Sequence, residues 1–505
     1  MLITFTGCNG PSPSPSLYYM VSMPEPSSHI FHVELLCEGL KKDTVFFRMP
    51  RWTPGYYQIM EYAKNVRDFS AEGLHGGEVF FDQVNSNTWR VVTEKKTSFK
   101  IRYDVYADKK FVAENFLDAT HGYIVPAATF MYIDGLTGIP VHLKIKPYDA
   151  WQNIATGLER TEGTTNEFTA PDFDVLYDCP LLIGSLDELP SFTIDGIEHR
   201  FIAYDPGSFD RKAFRENLKK VVKAAADIMG DIPYTQYTFI GIGPGFGGIE
   251  HLNSTTVSFS GRGLDAPDTR QRMMKFLAHE YFHNYNVKRI RPFELGPFDY
   301  DTENRTNLLW MSEGVTVYYE YLIVRRAGLM SEEDLLTSLA GNIDSYENDP
   351  GRFSQSLSQA SYITWSDGPF GQGSGGPDRS ISCYDKGPLA GMILDLAIRH
   401  ATGNEKSLDD VMRLLYRQYY LEFHRGFTDA EFQQACEQTA GISLNKEFEY
   451  VYTTREIEYS QYLSYAGLKL TEEAGTGTGG RKFRINRIDN PDPFQLSVYQ
   501  SWVGR

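Results

Sequence analysis

Hydrophobic and polar positions alternate along the first third of the chain. Phe99, Ile101, Tyr103 and Val105 are separated by Lys100, Arg102 and Asp104, and Val141, Leu143 and Ile145 by His142 and Lys144. This period of two is that of half-buried strands. Shorter stretches of the same kind (HIFHVELL, TVFFRMP, EVFFDQV, TWRVVT) are divided by Gly, Asn, Asp and Pro. Residues 29–170 therefore predict an all-β, sandwich-like domain. No set of side chains in it converges on chemistry, and RWTPGYY, Arg51 to Tyr57, reads as packing around a tight turn. Beyond residue 205 the period changes. Phe214, Leu218, Val221, Val222, Ala225, Ile228 and Met229 recur at helical spacing, with Ser208 as the cap and Gly230 as the stop. TQYTFIGIG and STTVSFSG read as strands joined by GPGFGGIEHLN, a glycine-rich loop without the Gly-Lys-Ser/Thr ending of a phosphate cradle. From Asp268 onward the pattern is mostly helical, with box-like starts at Ser331 and Asp334, Ser407 and Asp410, and Thr428 and Glu431. The chain thus predicts a multidomain α+β protein. Residues 1–28 read as a signal remnant or disordered linker, 29–170 as the β domain, 171–466 as a mainly helical domain, and 467–505 as linker and short tail with a strand and a helix.

The stretch DTRQRMMKFLAHEYFHNYN carries the densest chemistry. It predicts a helix capped by Asp268, uninterrupted by Gly or Pro until Pro292, with Met273, Met274, Phe276, Leu277, Tyr281 and Phe282 to bury it. His279 and His283 are four residues apart, so they project from one face about one turn apart and suit one zinc ion. Glu280 then stands beside the attacking water, where a general base for hydrolysis belongs. A catalytic zinc needs a third protein ligand, and two glutamates compete. Glu303 lies 20 residues beyond His283, a spacing known in zinc peptidases, and is set among polar neighbours. Glu313 lies 30 beyond, the one carboxylate at the start of the apolar helix LLWMSEGVTVYYEYLIV, where a buried charge needs a strong partner.

Charge and cysteine usage narrow the partners. A formal net charge of -17 argues against nucleic acid, which requires a clustered positive surface. The five cysteines are scattered and odd in number, too few for a disulfide framework. No run approaches 18 apolar residues, so no transmembrane helix is predicted. MLITFTGC followed by GPSPSPS is similar to the end of a bacterial lipoprotein signal, which makes Cys8 a candidate for a lipid anchor. The apolar run is short and lacks a basic start, so the cell envelope and the cytoplasm both stay open as locations.

Several motifs in order are more specific than one His-Glu-x-x-His. HEYFHNYNVKRIRP, LWMSEGVTVYYEYL, GGIEHLNS, YDKG and RWTPGYY together resemble the glycyl aminopeptidase family, gluzincin metallopeptidases related to the aminopeptidase N group. The resemblance implies a thermolysin-like catalytic domain behind the β domain. It implies one zinc ion on His279, His283 and Glu313, with Glu280 as base. It assigns Glu250 to the substrate's α-amine, with Gly247 and Gly248 of the same loop as further substrate-binding residues, and Tyr384 to the oxyanion. The role of His251, which stands where related enzymes have Asn, is left open. It implies peptide substrates with free amino termini and small first residues such as Gly or Ala. Lys288, Arg289 and Arg291, after the zinc helix, read as structural cations near a helix end. The PDZ domain that commonly follows in the family is not expected in the short tail. Two rivals remain: an endopeptidase on the same fold, and a peptide-binding envelope protein with a vestigial metal site.

Overall fold

The computed structural model describes residues 15–94, 98–368, 380–473 and 480–504. They divide into two compact units. The described residues up to Tyr56, with Met60–Asp187 and Gly245–Gly247, form one; Tyr57–Ile59, Glu188–Pro244 and the described residues from Gly248 onward form the other.

The first unit is β-rich, built of one seven-stranded and two four-stranded sheets. The alternating stretches become the strands Ile30–Glu38, Ser98–Tyr106 and Val141–Lys146, with their apolar positions inward. The β region begins before residue 29, contrary to the expected linker. Ser16–Ser22 lies in the middle of the large sheet, parallel to Val141–Lys146 and antiparallel to Ile30–Glu38. Leu17, Tyr19 and Val21 are buried there, but Tyr18 and Met20 between them are also apolar, so the sequence hides the alternation. Cys8 lies outside the described residues. At the other end Leu181–Gly184, all four residues buried, is an interior strand of one of the small sheets, paired with Asn153–Thr156 and His121–Ile124, so this unit continues past residue 170.

The second unit combines a sheet with a large helical core. Ile197–Ala203, Gln236–Gly241 and Ser254–Val257 run parallel, and Gly248–Glu250 adds an antiparallel edge strand beside Ser254–Val257. This short strand sits inside the loop that the glycine-rich sequence predicts. Helix Arg211–Met229 is capped by Asp210, which accepts from the Ala213 amide, rather than by Ser208 two residues earlier. Helix Pro267–Phe282 likewise starts ahead of Asp268. Pro267 supplies the preset φ of a first turn, and Asp268 takes a first-turn place where the helix dipole favours an anion. The three predicted capping boxes are present, joined by Ser356 with Gln359 and Asp492 with Gln495. Helices Val315–Arg326 and Cys383–Ala401 are buried almost all round and form the middle of the core. The expected tail is structural: Leu468–Glu473 and Lys482–Arg487 make a hairpin, and helix Pro493–Trp502 follows. Trp502 is fully buried and its indole N–H donates to the Tyr318 hydroxyl at 2.6 Å. Among the described residues no helix is long and apolar enough to cross a membrane.

Candidate metal centre

His279 and His283 close the helix Pro267–Phe282, whose last turn is wholly buried. His279 sits in that turn and His283 at the cap beyond it. Each ring is oriented through its Nδ1. His279 Nδ1 donates to Glu320 Oε2 at 3.1 Å, and His283 Nδ1 to the Asn286 carbonyl at 2.6 Å. A ring that donates from Nδ1 turns a lone pair outward at Nε2 in its neutral form, the form that binds a metal. Those two Nε2 atoms stand 3.0 Å apart. Glu313 Oε2 completes the triangle at 3.6 Å from one and 3.4 Å from the other. Three converging electron pairs repel unless a cation lies among them. Donors of a tetrahedral zinc ion sit about 3.3–3.5 Å apart at normal bond lengths, so the triangle fits that metal. His279, His283 and Glu313, all buried, are the only such group found among the described residues.

Glu313 comes from a different part of the chain and is aimed by the backbone. It lies in a π-helical turn, Trp310–Gly314, at the head of helix Val315–Arg326. The wide turn is held from the segment just beyond that helix: the Asn286 side-chain amide donates to the Met311 carbonyl at 3.0 Å and to Thr316 Oγ1 at 3.1 Å. Asn286 thus orients His283 through its carbonyl and Glu313 through its side chain. Electrostatically the set is balanced. Burial opposes ionisation of Glu313, yet the His283 and His279 imidazoles hold it well below the usual carboxylate range. Burial equally opposes charging of His279, and Glu313 and Glu320 more than offset it.

Three further groups surround this triangle. Glu280, buried on the next helical position, is pushed up to about 7 by burial, against the pull of His279 and His283, and its Oε2 has no hydrogen-bond partner among the described residues. Gly248 makes room for it: a Cβ there would meet Glu280 Oε1 at 2.5 Å. Glu250, at the end of the edge strand Gly248–Glu250, is 4% exposed and its Oε1 is likewise unpartnered. Buried carboxylate oxygens are rarely left unmatched unless a ligand completes them. Tyr384, at the start of helix Cys383–Ala401, donates its hydroxyl to Glu313 Oε2 at 2.7 Å and lies with its ring stacked on His279 at 6.1 Å.

Comparison with known proteins agrees with this chemistry. A profile of the Peptidase M61 N-terminal domain matches residues 18–185, and one of the M61 glycyl aminopeptidase matches residues 272–390. The chain belongs to the M61 glycyl aminopeptidase family. It is a zinc metallo-aminopeptidase with a β-rich amino-terminal domain and a thermolysin-like helical one. Among solved structures, an aminopeptidase N family protein from Idiomarina loihiensis superposes with a TM-score of 0.85 at 25% identity, over 92% of this chain and 80% of that one. An M1 zinc metallopeptidase from Deinococcus radiodurans shares the fold with a TM-score of 0.54 at 14% identity, over 88% of this chain and 94% of that one. No curated protein matches the chain.

Within the M61 enzyme the two competing glutamates part company. Glu303 is exposed and pairs with Arg305 at 2.6 Å, outside the cluster that Glu313 completes. Gly247, in the same loop as Gly248, has a left-handed φ of 95° that favours glycine. Arg289 is more than a cation near a helix dipole. Its guanidinium is buried and donates to the Leu252, Asn284 and Pro233 carbonyls at 2.6–3.0 Å, locking the chain beyond the zinc helix. Sequence reasoning missed Glu320 and Asn286. Glu320 had a legible signal, since it lies seven residues, two turns, beyond Glu313 on the same helix. Asn286 had none.

Proposed function

We propose that this M61 enzyme removes amino-terminal residues, small ones such as Gly or Ala, from peptides with a free α-amine. One zinc ion per chain is held by His279, His283 and Glu313. The observation that carries the reading is the buried Glu250 at the end of an edge strand, whose Oε1 has no hydrogen-bond partner among the described residues, in the same unit as the histidine–glutamate triangle. A peptide adds to that edge strand, and its α-ammonium supplies the hydrogen bonds that Glu250 Oε1 lacks. A blocked or internal segment leaves Glu250 buried and unmatched, which makes the enzyme an exopeptidase.

When bound, zinc acidifies a water and polarises the scissile carbonyl. Glu280, already raised to about 7 by burial, takes the proton of the attacking water as its oxygen bonds the carbonyl carbon. The Tyr384 hydroxyl releases Glu313 and donates to the carbonyl oxygen as that oxygen becomes negative. Glu280 then passes its proton to the leaving nitrogen, the C–N bond breaks, and a free amino acid and a shortened peptide result.

Alanyl and N-acetylalanyl p-nitroanilides test the reading. Hydrolysis of the free amide and not of the acetylated one is expected; equal turnover of both would overturn it in favour of an endopeptidase. Glu280→Gln should keep its zinc and lose about 10²- to 10⁴-fold in kcat. Zinc-loaded protein without turnover of any peptide amide would leave only a binding protein.

A further inference from the structure

The segment that carries Tyr384 holds a proline where a helix disfavours one. Tyr384 is the second residue of helix Cys383–Ala401, and Pro388 stands inside that helix, four residues further on. In an α-helix the carbonyl of residue 384 accepts from the N–H of residue 388, and proline has none to give. A carbonyl deprived of that donor needs another. The side chain of Asn342, buried in helix Glu332–Asn348, supplies it: its amide donates to the Tyr384 carbonyl at 3.2 Å.

The other end of the Asn342 amide is fixed as well. The Tyr321 hydroxyl donates to its Oδ1 at 3.1 Å. A carbonyl can only accept, so the amide nitrogen faces Tyr384 and the oxygen is left to receive the hydroxyl. Tyr321 follows Glu320, which orients His279, on helix Val315–Arg326, and the turn bearing Glu313 heads that helix. Asn342 thus joins the first turn of the Tyr384 helix to the helix that serves the metal ligands. Tyr384 gives up its bond to Glu313 when it turns to the substrate, so its ring requires an anchor that stays in place.

We infer that Asn342 is a positioning residue for Tyr384: by taking the carbonyl that Pro388 leaves, it holds the turn from which the phenol reaches the substrate's carbonyl oxygen. The inference rests on the oxyanion role proposed for Tyr384 and goes beyond it by naming what aims the ring. Asn342 meets the backbone of Tyr384, so its effect on the reaction passes through that residue.

The test uses the zinc-loaded full chain and alanyl p-nitroanilide. Asn342→Leu, close in size and without a donor, should lower kcat by about 10- to 100-fold, the scale of a catalytic group displaced by about 1 Å, with KM and zinc content kept. Tyr384→Phe supplies the reference. In that background Asn342→Leu should lower kcat no further, because the two residues act as a unit. The same loss with and without the phenol overturns the inference. Pro388→Ala returns an N–H to position 388, and added to Asn342→Leu it should recover part of the lost kcat; no recovery overturns the carbonyl as the point of action. Should Asn342→Leu not fold, Asn342→Asp decides, since it keeps the acceptor for Tyr321 and loses the amide donor. A fall in kcat that disappears in the Tyr384→Phe background supports the inference, and any other result overturns it. Unchanged turnover in Tyr384→Phe alone removes the oxyanion role and this inference with it. If Tyr384→Phe is slow and Asn342→Leu is as fast as wild type, only the Asn342 assignment fails.

Discussion

Five glutamates around one helix pair show how environment assigns different tasks to one side chain. Glu313 is buried against two imidazoles and kept ionised; Glu280 is buried with less compensation and raised to about 7; Glu250 is buried with a bare oxygen; Glu303 is exposed against Arg305. Glu320 touches no reacting atom and fixes the His279 ring. Outer groups of this kind are worth about 10- to 100-fold in metal affinity. Glu320→Gln should therefore weaken zinc binding by that factor in chelator competition, with activity recovered at high zinc; unchanged affinity would remove Glu320 from the site. Lys386, in the YDKG motif, gives a pH prediction. It is fully buried, its Nζ has no hydrogen-bond partner among the described residues, and burial lowers it to about 8. The unfolded chain holds this proton up to about pH 10.4, so between about pH 8 and 10 it binds more protons than the folded one. Wild-type stability measured against Lys386→Met should accordingly rise with pH across that window, and below it the buried charge costs about 3 kcal/mol. A flat difference in urea unfolding from pH 7 to 10 would contradict this.

At the scale of elements, the site depends on how closely two helices cross. The π-helical turn bearing Glu313 meets helix Cys383–Ala401, which bears Tyr384, at two glycines. A Cβ on Gly314 would lie 2.5 Å from the Gly387 Cα and 2.6 Å from the Cys383 carbonyl oxygen. Both are backbone atoms, so the helices themselves must part. Gly314→Ala should cost at least about 1–3 kcal/mol and lower turnover, because Glu313 and Tyr384 move with their helices. Gly341 offers the contrast: it lies inside helix Glu332–Asn348, and a Cβ there meets nothing within 4 Å. Gly341→Ala should stabilise by about 0.5–1 kcal/mol. Equal effects of the two substitutions in urea titrations would refute the close-crossing account.

At the scale of the molecule, the end of the chain belongs to the catalytic unit. Lys482 pairs with Asp344 at 2.8 Å, and Trp502 is buried against Tyr318, a residue of the helix that follows Glu313. Trp502→Ala should cost about 3–5 kcal/mol of unfolding free energy, and a loss below about 1 kcal/mol would make the tail an appendage. Much of this protein is written locally. The spacing of His279 and His283, the neighbouring Glu280, the capping boxes and the alternating strands each depend on one short segment, whose backbone period sets which side chains share a face. Ser16–Ser22 escaped because both its faces are apolar, and the start of the zinc helix escaped because it has no side-chain cap and begins instead at Pro267, whose ring presets the first φ. The preference for Glu313 over Glu303 rested on apolar neighbours and family likeness rather than on spacing, since no period links it to His283. The folded chain brings the segment of Glu313 and Glu320, and Tyr384 from a third helix, to that helix and to Asn286 just beyond it. Such meetings are decided by which helices cross and how closely, and a one-dimensional pattern of hydrophobic and polar positions does not contain that distance.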